Sequence, residues 1–284
     1  MTRIVHISDL HYGRVDPGLE APLARAIHAL APDLLVVSGD LTQRARHGQF
    51  RAARAFLDHL PGPQLCVPGN HDTPLDNLWV RFLRPFGRYR RHICHDLEPV
   101  HRAPGLVVAG VNTVNRFSWQ RGRIGETRLR RLSARLAGDD SALKVAVLHH
   151  PLQHGPETEK RLMRGADETL DALARSGADL VLSGHLHMAS AEPFRAAPGL
   201  LFVQAGTVLS TRLRHDEPNT FNQIEHAGGR LSVITWAAQR GGFAPVGRSD
   251  WRQAAEGWQP APLPRPQKGA VPGEGNGAEL SAAR

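Results

Sequence analysis

A chain of 284 residues, 41% of them hydrophobic, can bury a sizeable core as one large domain or two small ones. Its two cysteines, Cys66 and Cys94, exclude a disulfide framework, and no apolar run approaches the ~18 residues a membrane-spanning helix needs. The net charge of +8 leaves a polyanionic partner open, although nearly all the basic residues are arginine, with only Lys144, Lys160 and Lys268 besides, which fits a coding bias as well as a binding device.

The first strand-like run, 3–8, begins at once and is followed by polar residues. No signal peptide is therefore expected, and the cytoplasm is the default location. An amphipathic helix over 19–30 leads to a strand at 34–38, a helix at 49–60 and a strand at 64–67, within which Cys66 reads as a small buried hydrophobe. An arginine-dense window, "RFLRPFGRYRR" (81–91), precedes a strand at 106–111. A second, "RGRIGETRLRRLSAR" (121–135), overlaps a helix at 126–137. There Arg128, Arg131 and Arg135 share one face and Leu129, Leu132 and Leu136 another, so the arginines read as a solvated face before they read as a site for an acidic polymer. A strand at 143–148, a helix at 166–176 and strands at 179–183, 200–204 and 231–236 follow. "FNQIEHAGGRLSVITW" (221–236) is two strands around a Gly-Gly turn, so antiparallel pairing is expected in the second half of an otherwise alternating α/β chain. From about Gln239 the sequence turns rich in Pro and Gly and loses its period. Residues 1–239 are expected to form the domain and 240–284 a mostly disordered tail, with Trp251 and Trp258 available to dock.

Polar residues gather where the strands end. "SDLH" brings Asp9 and His11, "SGDL" Asp40, "PGNHD" Asn70, His71 and Asp72, "LHHP" His149 and His150, and "SGHLH" His185 and His187. Open α/β sheets bind ligands beyond the carboxyl ends of their strands, so five strands are expected to deliver these groups to one edge. On an extended segment, residues i and i+2 share a face, which would let Asp9 reach a common site with His11, and His185 with His187. Gly39, Gly69 and Gly184 immediately precede Asp40, Asn70 and His185 and allow a sharp turn and close backbone approach. Carboxylate, imidazole and amide oxygen together suit Mn, Fe or Zn better than Ca or Mg, and the number of donors points to two ions.

In this order, "DLH … GDL … GNHD … HH … GHLH" resembles the calcineurin-like metallophosphoesterases over roughly residues 3–237, and within them the bacterial class III cyclic-nucleotide phosphodiesterases and glycerophosphodiesterases; "GVNT" (110–113) and "GTVLSTR…EPNTFN" (206–222) look like that branch's later loops. The resemblance implies a four-layer αββα sandwich of two mixed sheets flanked by helices, with the metal site at the strand C-terminal ends. It implies that Asp9, His11 and His187 bind one ion, that Asn70, His149 and His185 bind the other, and that Asp40 bridges them. His71 would stabilise the transition state or protonate the leaving group and Asp72 would orient His71, while His150 stays open between a structural hydrogen bond and substrate contact. The implied reaction is hydrolysis of a small phosphodiester, a cyclic nucleotide such as cAMP first and a glycerophosphodiester second, by a metal-bridging hydroxide attacking phosphorus in line. A phosphomonoesterase, a nuclease or a lipid-precursor pyrophosphate hydrolase are the alternatives. A nucleic-acid substrate is disfavoured by the small space for a capping domain, and a non-catalytic scaffold by the intact ligand set. The family is often dimeric, but no dimer segment can be read here.

Overall fold

Apolar residues at consecutive strand positions bury both faces of the sheet they join. β1 (Thr2–Ile7) and β2 (Leu34–Val37) do this in the computed structural model, which describes residues 1–138, 141–154, 161–213 and 217–262. Val5, Ile7, Leu35 and Val37 pack outward against Leu23 and Ile27 of α1 (Glu20–Leu30) and Phe50 and Leu57 of α2 (His47–Asp58). Ile4, Leu34 and Val36 point the other way, into the space between two sheets. After β3 (Gln64–Cys66) come two short helices, α3 (Leu78–Leu83) and α4 (Gly87–His92).

The second sheet is built from β4 (Val100–Ala103), β5 (Leu106–Gly110), β6 (Leu143–Val147), β7 (Leu180–His187), β8 (Ser190–Pro193) and β9 (Leu201–Gly206). Its inner face supplies Val108, Val145, Leu182 and Val203 to the central layer. Its outer face, with Val107, Ala109 and Val181, is covered by Leu132 and Leu136 of α5 (Glu126–Leu136) and Leu173 of α6 (Ala166–Arg175). Helices, sheet, sheet, helices is the expected four-layer sandwich.

Four more strands complete the first sheet: β10 (Thr220–Ala227), β11 (Arg230–Gln239), β12 (Gly242–Ala254) and β13 (Gly257–Pro260). The strand order is β13-β12-β11-β10-β1-β2-β3 in one sheet and β4-β5-β6-β7-β9-β8 in the other. Strands β1 to β3 run parallel, as do β5, β6, β7 and β9, while β10 returns antiparallel beside β1 with Ile224 opposite Ile4. All the metal-type motifs follow parallel strands, which is why they emerge on one edge.

The boundary expected at residue 239 is overturned. Residues 242–260 extend the sheet by a hairpin, and Trp251 and Trp258 sit in the layer between the sheets. β12 hides from sequence reading because it is an edge ribbon: Phe243 and Trp251 are its buried residues, and its Pro and Gly break the alternation. The rest of the expected tail, from 263 on, lies outside the described residues. The arginine face of α5 is also more than solvated. Arg128 and Arg131 pair with the Glu98 carboxylate, each at 3.1 Å, and Arg135 Nη1 donates to the Glu98 carbonyl at 2.6 Å.

Candidate metal centre

The edge loops hold their polar side chains by unusual backbone. Asp9 (φ 52°), His11 (52°), Asp40 (52°), His185 (76°) and His187 (63°) all adopt the left-handed conformation. Residues with a Cβ avoid it at about 1–3 kcal/mol each, so the surrounding fold must over-determine these turns. Hydrogen bonds show how. Asp9 N–H donates to the Gly39 carbonyl at 3.0 Å, His11 N–H to the Asp40 carbonyl at 3.0 Å, and His185 N–H to Asp9 Oδ2 at 2.9 Å. Glycine is required at Gly39, Gly69 and Gly184, and a Cβ on Gly69 would overlap Asp40. A Cβ on Gly39 (φ +104°) would lie 2.7 Å from His149 Nδ1, and one on Gly184 would overlap Ser8 Oγ and Asp9 Oδ2.

This corrects the extended-face argument. Asp9 and His11 do meet, but through a left-handed turn, and His185 and His187 part company for the same reason. His187 joins Asp9 and His11; His185 joins His149 and His150. In the first group His187 Nε2 lies 3.1 Å from Asp9 Oδ1 and 3.1 Å from His11 Nε2, and all three side chains are buried. In the second, His149 Nε2 is 3.2 Å from Asn70 Oδ1. The His149 and His150 rings lie 5.2 Å and 4.8 Å from that of His185. Asp40 stands between the groups, its Oδ2 3.3 Å from His149 Nε2 and 3.9 Å from His11 Nε2.

Main-chain carbonyls aim the imidazoles. His187 Nδ1 meets the Arg212 carbonyl at 3.0 Å, His149 Nδ1 that of Ser38 at 2.8 Å and His71 Nδ1 that of Gln43 at 3.0 Å. A carbonyl only accepts, so each Nδ1 carries a proton and each Nε2 turns inward, able to ligate a cation when it holds no proton of its own. The donors therefore fit a cation. Nε2 of His11 and His187 face each other, and the buried Asp9 Oδ1 lacks a hydrogen-bond donor. Without positive charge this is an array of converging lone pairs.

The protonation equilibria reflect the same crowding. Burial alone would raise Asp9, but His187 and His11 hold its carboxyl well below the ordinary carboxylate range. Asp40 is likewise held low against burial, mainly by His149 and His71. For His149, burial is outweighed by the Asp40 carboxylate and the pKa rises to about 9. Burial, then the charge of His149, pushes His150 down to about 3.

Asp72 does not hold the His71 ring. Its two oxygens accept from Leu41 N–H (3.2 Å), Thr42 N–H (2.9 Å), Thr42 Oγ1 (3.0 Å) and Gly69 N–H (3.0 Å), which ties the loop after β2 to the loop after β3. His71 is positioned instead by Gln43 and by its own N–H, which donates to Asp40 Oδ1 at 2.7 Å. His150 is both structural and part of the cluster: Nδ1 lies 2.8 Å from Thr113 Oγ1, while its buried Nε2 has no hydrogen-bond partner. Sequence reading missed the carbonyls of Ser38, Gln43 and Arg212 because a backbone acceptor leaves no residue-type signal. It also missed a cleft of about 470 Å³ lined by Gln43, whose carbonyl holds His71, and by Arg14, Arg44, Arg46 and Arg212.

Known proteins resemble the chain in sequence and in fold. The family described as calcineurin-like phosphoesterase matches residues 2–189. A probable cyclic nucleotide phosphodiesterase of Synechococcus is 29% identical over 199 residues, covering 66% of this chain and 73% of the relative. A glycerophosphodiester phosphodiesterase of Enterobacter lignolyticus is 34% identical over 93 residues, 29% of this chain but only 33% of its own length. Purple acid phosphatase from yellow lupin shares the fold with a TM-score of 0.61 at 13% identity, over 83% of this chain and 51% of that one. GAP50 of Plasmodium does so with a TM-score of 0.57 at 13% identity, over 86% and 88%.

Proposed function

Since the chain belongs to the calcineurin-like phosphoesterase family and is a metal-dependent phosphoesterase, we propose that it hydrolyses phosphoric diesters at a two-metal centre. Asp9, His11 and His187 would hold one ion and Asn70, His149 and His185 the other. The observation that carries this reading is Asp40, a single buried carboxylate whose Oδ2 faces His11 on one side and His149 on the other. When bound, such a pair supplies Lewis-acid polarisation of phosphoryl oxygens and makes water more acidic. Mn, Fe or Zn suits these donors.

The protein's own residues do the rest. The left-handed turns and the Asp72 clamp fix donor positions before substrate arrives, so little reorganisation remains for the transition state. His71, with Nδ1–H committed to Gln43, presents Nε2 toward the cluster; its ring is 4.9 Å from that of His11. There it would carry the proton that the leaving oxygen needs. The arginines of the neighbouring cleft attract an anionic substrate.

A cyclic nucleotide is the preferred substrate class, supported by the Synechococcus relative, whose match spans most of both chains. A small glycerophosphodiester is the second reading, supported by the Enterobacter relative over a shorter stretch. The test is to strip the protein of metal, restore Mn²⁺ and compare kcat/KM for bis(p-nitrophenyl) phosphate, p-nitrophenyl phosphate and 3′,5′-cAMP. Diester preference with comparable cAMP turnover supports the reading. Turnover of the monoester alone refutes the diesterase assignment, and unimpaired turnover in Asn70→Ala refutes the ligand assignment.

A further inference from the structure

The helix α3 is turned inside out. Its sequence "LWVRFL" buries the arginine and leaves the large apolar residues in water: Arg81 is 4% exposed, while Leu78, Trp79 and Leu83 are 62%, 78% and 70% exposed. The Arg81 guanidinium accounts for the inversion. It donates to Thr73 Oγ1 at 2.9 Å, to the Arg116 carbonyl at 3.0 Å and to the Ser118 carbonyl at 2.8 Å, so it staples α3 to the loop that follows β5. That loop adds Phe117 and Trp119, 74% and 57% exposed. Phe82 stacks on Phe117 with ring centroids 5.7 Å apart, and Arg81 lies 5.9 Å from the Trp119 ring. The short helix and this loop thus expose six large apolar side chains, Leu78, Trp79, Phe82, Leu83, Phe117 and Trp119, where a soluble surface ordinarily scatters such residues singly.

Cations surround this face. Arg84 follows Leu83, and the Arg116 guanidinium sits 4.9 Å from the Phe117 ring. Both also line an adjoining cavity of about 790 Å³, together with Arg90, Arg123 and Arg128; its one acidic lining residue, Glu126, is paired with Arg130 at 2.7 Å. We infer that this face docks on an anionic phospholipid bilayer. Trp, Phe and Leu flanked by Arg match the headgroup boundary, where aromatic rings sit among apolar stems and guanidinium groups meet phosphate. A second copy of the chain is the poorer occupant, because a two-fold contact through this patch would press two arginine-rimmed surfaces of the same sign together. The face adjoins the candidate metal centre: Thr73, which Arg81 holds, directly follows the Asn70–Asp72 turn. Docking would therefore bring the candidate metal centre close to the membrane surface, and this inference does not depend on which ester is cleaved.

Sedimentation of the full chain with vesicles tests it, using phosphatidylcholine alone and phosphatidylcholine enriched in phosphatidylglycerol. The expected result is binding at least about tenfold stronger to the anionic vesicles, weakened by salt. Trp79→Ser with Phe117→Ser should abolish it, and Arg84→Glu with Arg90→Glu should remove the preference for phosphatidylglycerol. Thermal unfolding and soluble bis(p-nitrophenyl) phosphate turnover should stay parental in both pairs, since these residues are exposed and outside the metal cluster. Absence of binding to either vesicle overturns the inference, as does binding that the Trp79→Ser and Phe117→Ser pair leaves intact. A dimer in light scattering that this pair dissolves would assign the face to a second copy instead, and lost soluble turnover would assign it to the active site.

Discussion

Asp72→Asn removes one acceptor oxygen from a carboxylate that receives four hydrogen bonds, and its cost can be worked out bond by bond. Oδ2 receives Leu41 and Gly69 N–H; Oδ1 receives Thr42 N–H and Thr42 Oγ1. In the better amide orientation the remaining oxygen keeps Leu41 and Gly69. The new NH₂ group then faces Thr42, whose hydroxyl can rotate to accept but whose buried N–H cannot. One orphaned backbone donor costs about 1–3 kcal/mol; burial and the Asp40 carboxylate push Asp72 up to about 7, so the three remaining hydrogen bonds lose charge assistance only above that pH. A destabilisation of roughly 2–3 kcal/mol follows by the same reasoning, large against a typical total of about 5–15 kcal/mol. Urea unfolding of the metal-free variant and parent measures it, metal being left out so that binding linkage does not enter. Because the clamp joins the loops that carry Asp40 and His71, kcat/KM should fall as well. A variant with parental stability and a lost rate would refute this reasoning and restore the reading in which Asp72 acts on the His71 ring.

His71→Ala should lower kcat about 10²–10⁴-fold while metal content by elemental analysis stays parental, because its Nε2 serves the leaving group rather than the ions. Gly184→Ala puts a methyl group into Ser8 Oγ and Asp9 Oδ2, so metal affinity should fall and the Asp9 side of the centre should fill last in a titration followed by calorimetry. Trp258→Ala empties a side chain 4% exposed between the sheets and should cost about 3–5 kcal/mol in urea unfolding; a loss under ~1 kcal/mol would restore residues 242–260 to a dispensable tail. Burial pushes His6 down to about 3 from an ordinary 6.5, so the folded state keeps it neutral where the unfolded state takes up a proton. Its stabilisation is present above pH 6.5 and is lost on acidification toward pH 3, at about 1.4 kcal/mol per pH unit, and His6→Gln should shed that part of the slope.

The donor types of the candidate centre were legible before the fold because they are carried by residue type. Asp9, His11, Asp40, Asn70, His149, His185 and His187 each follow an apolar run, and parallel strands must send their loops to one edge. The double-sided burial of β1 and β2 was equally plain, because consecutive apolar residues have no other use in a strand. The last hairpin was hidden, since its strands owe their place to pairing with β11 and to two tryptophans rather than to a period. Spacing alone sets His185 beside His187, and only the resemblance separates them; what the tertiary structure adds is the means, left-handed turns that no side-chain pattern announces and that send the two to different groups. The ring orientations depend on the carbonyls of Ser38, Gln43 and Arg212, groups that every residue possesses and that only folding brings within reach. The same holds for α3, whose exposed apolar face follows from where Arg81 finds its acceptors, one in Thr73 and two in a loop more than thirty residues further along the chain.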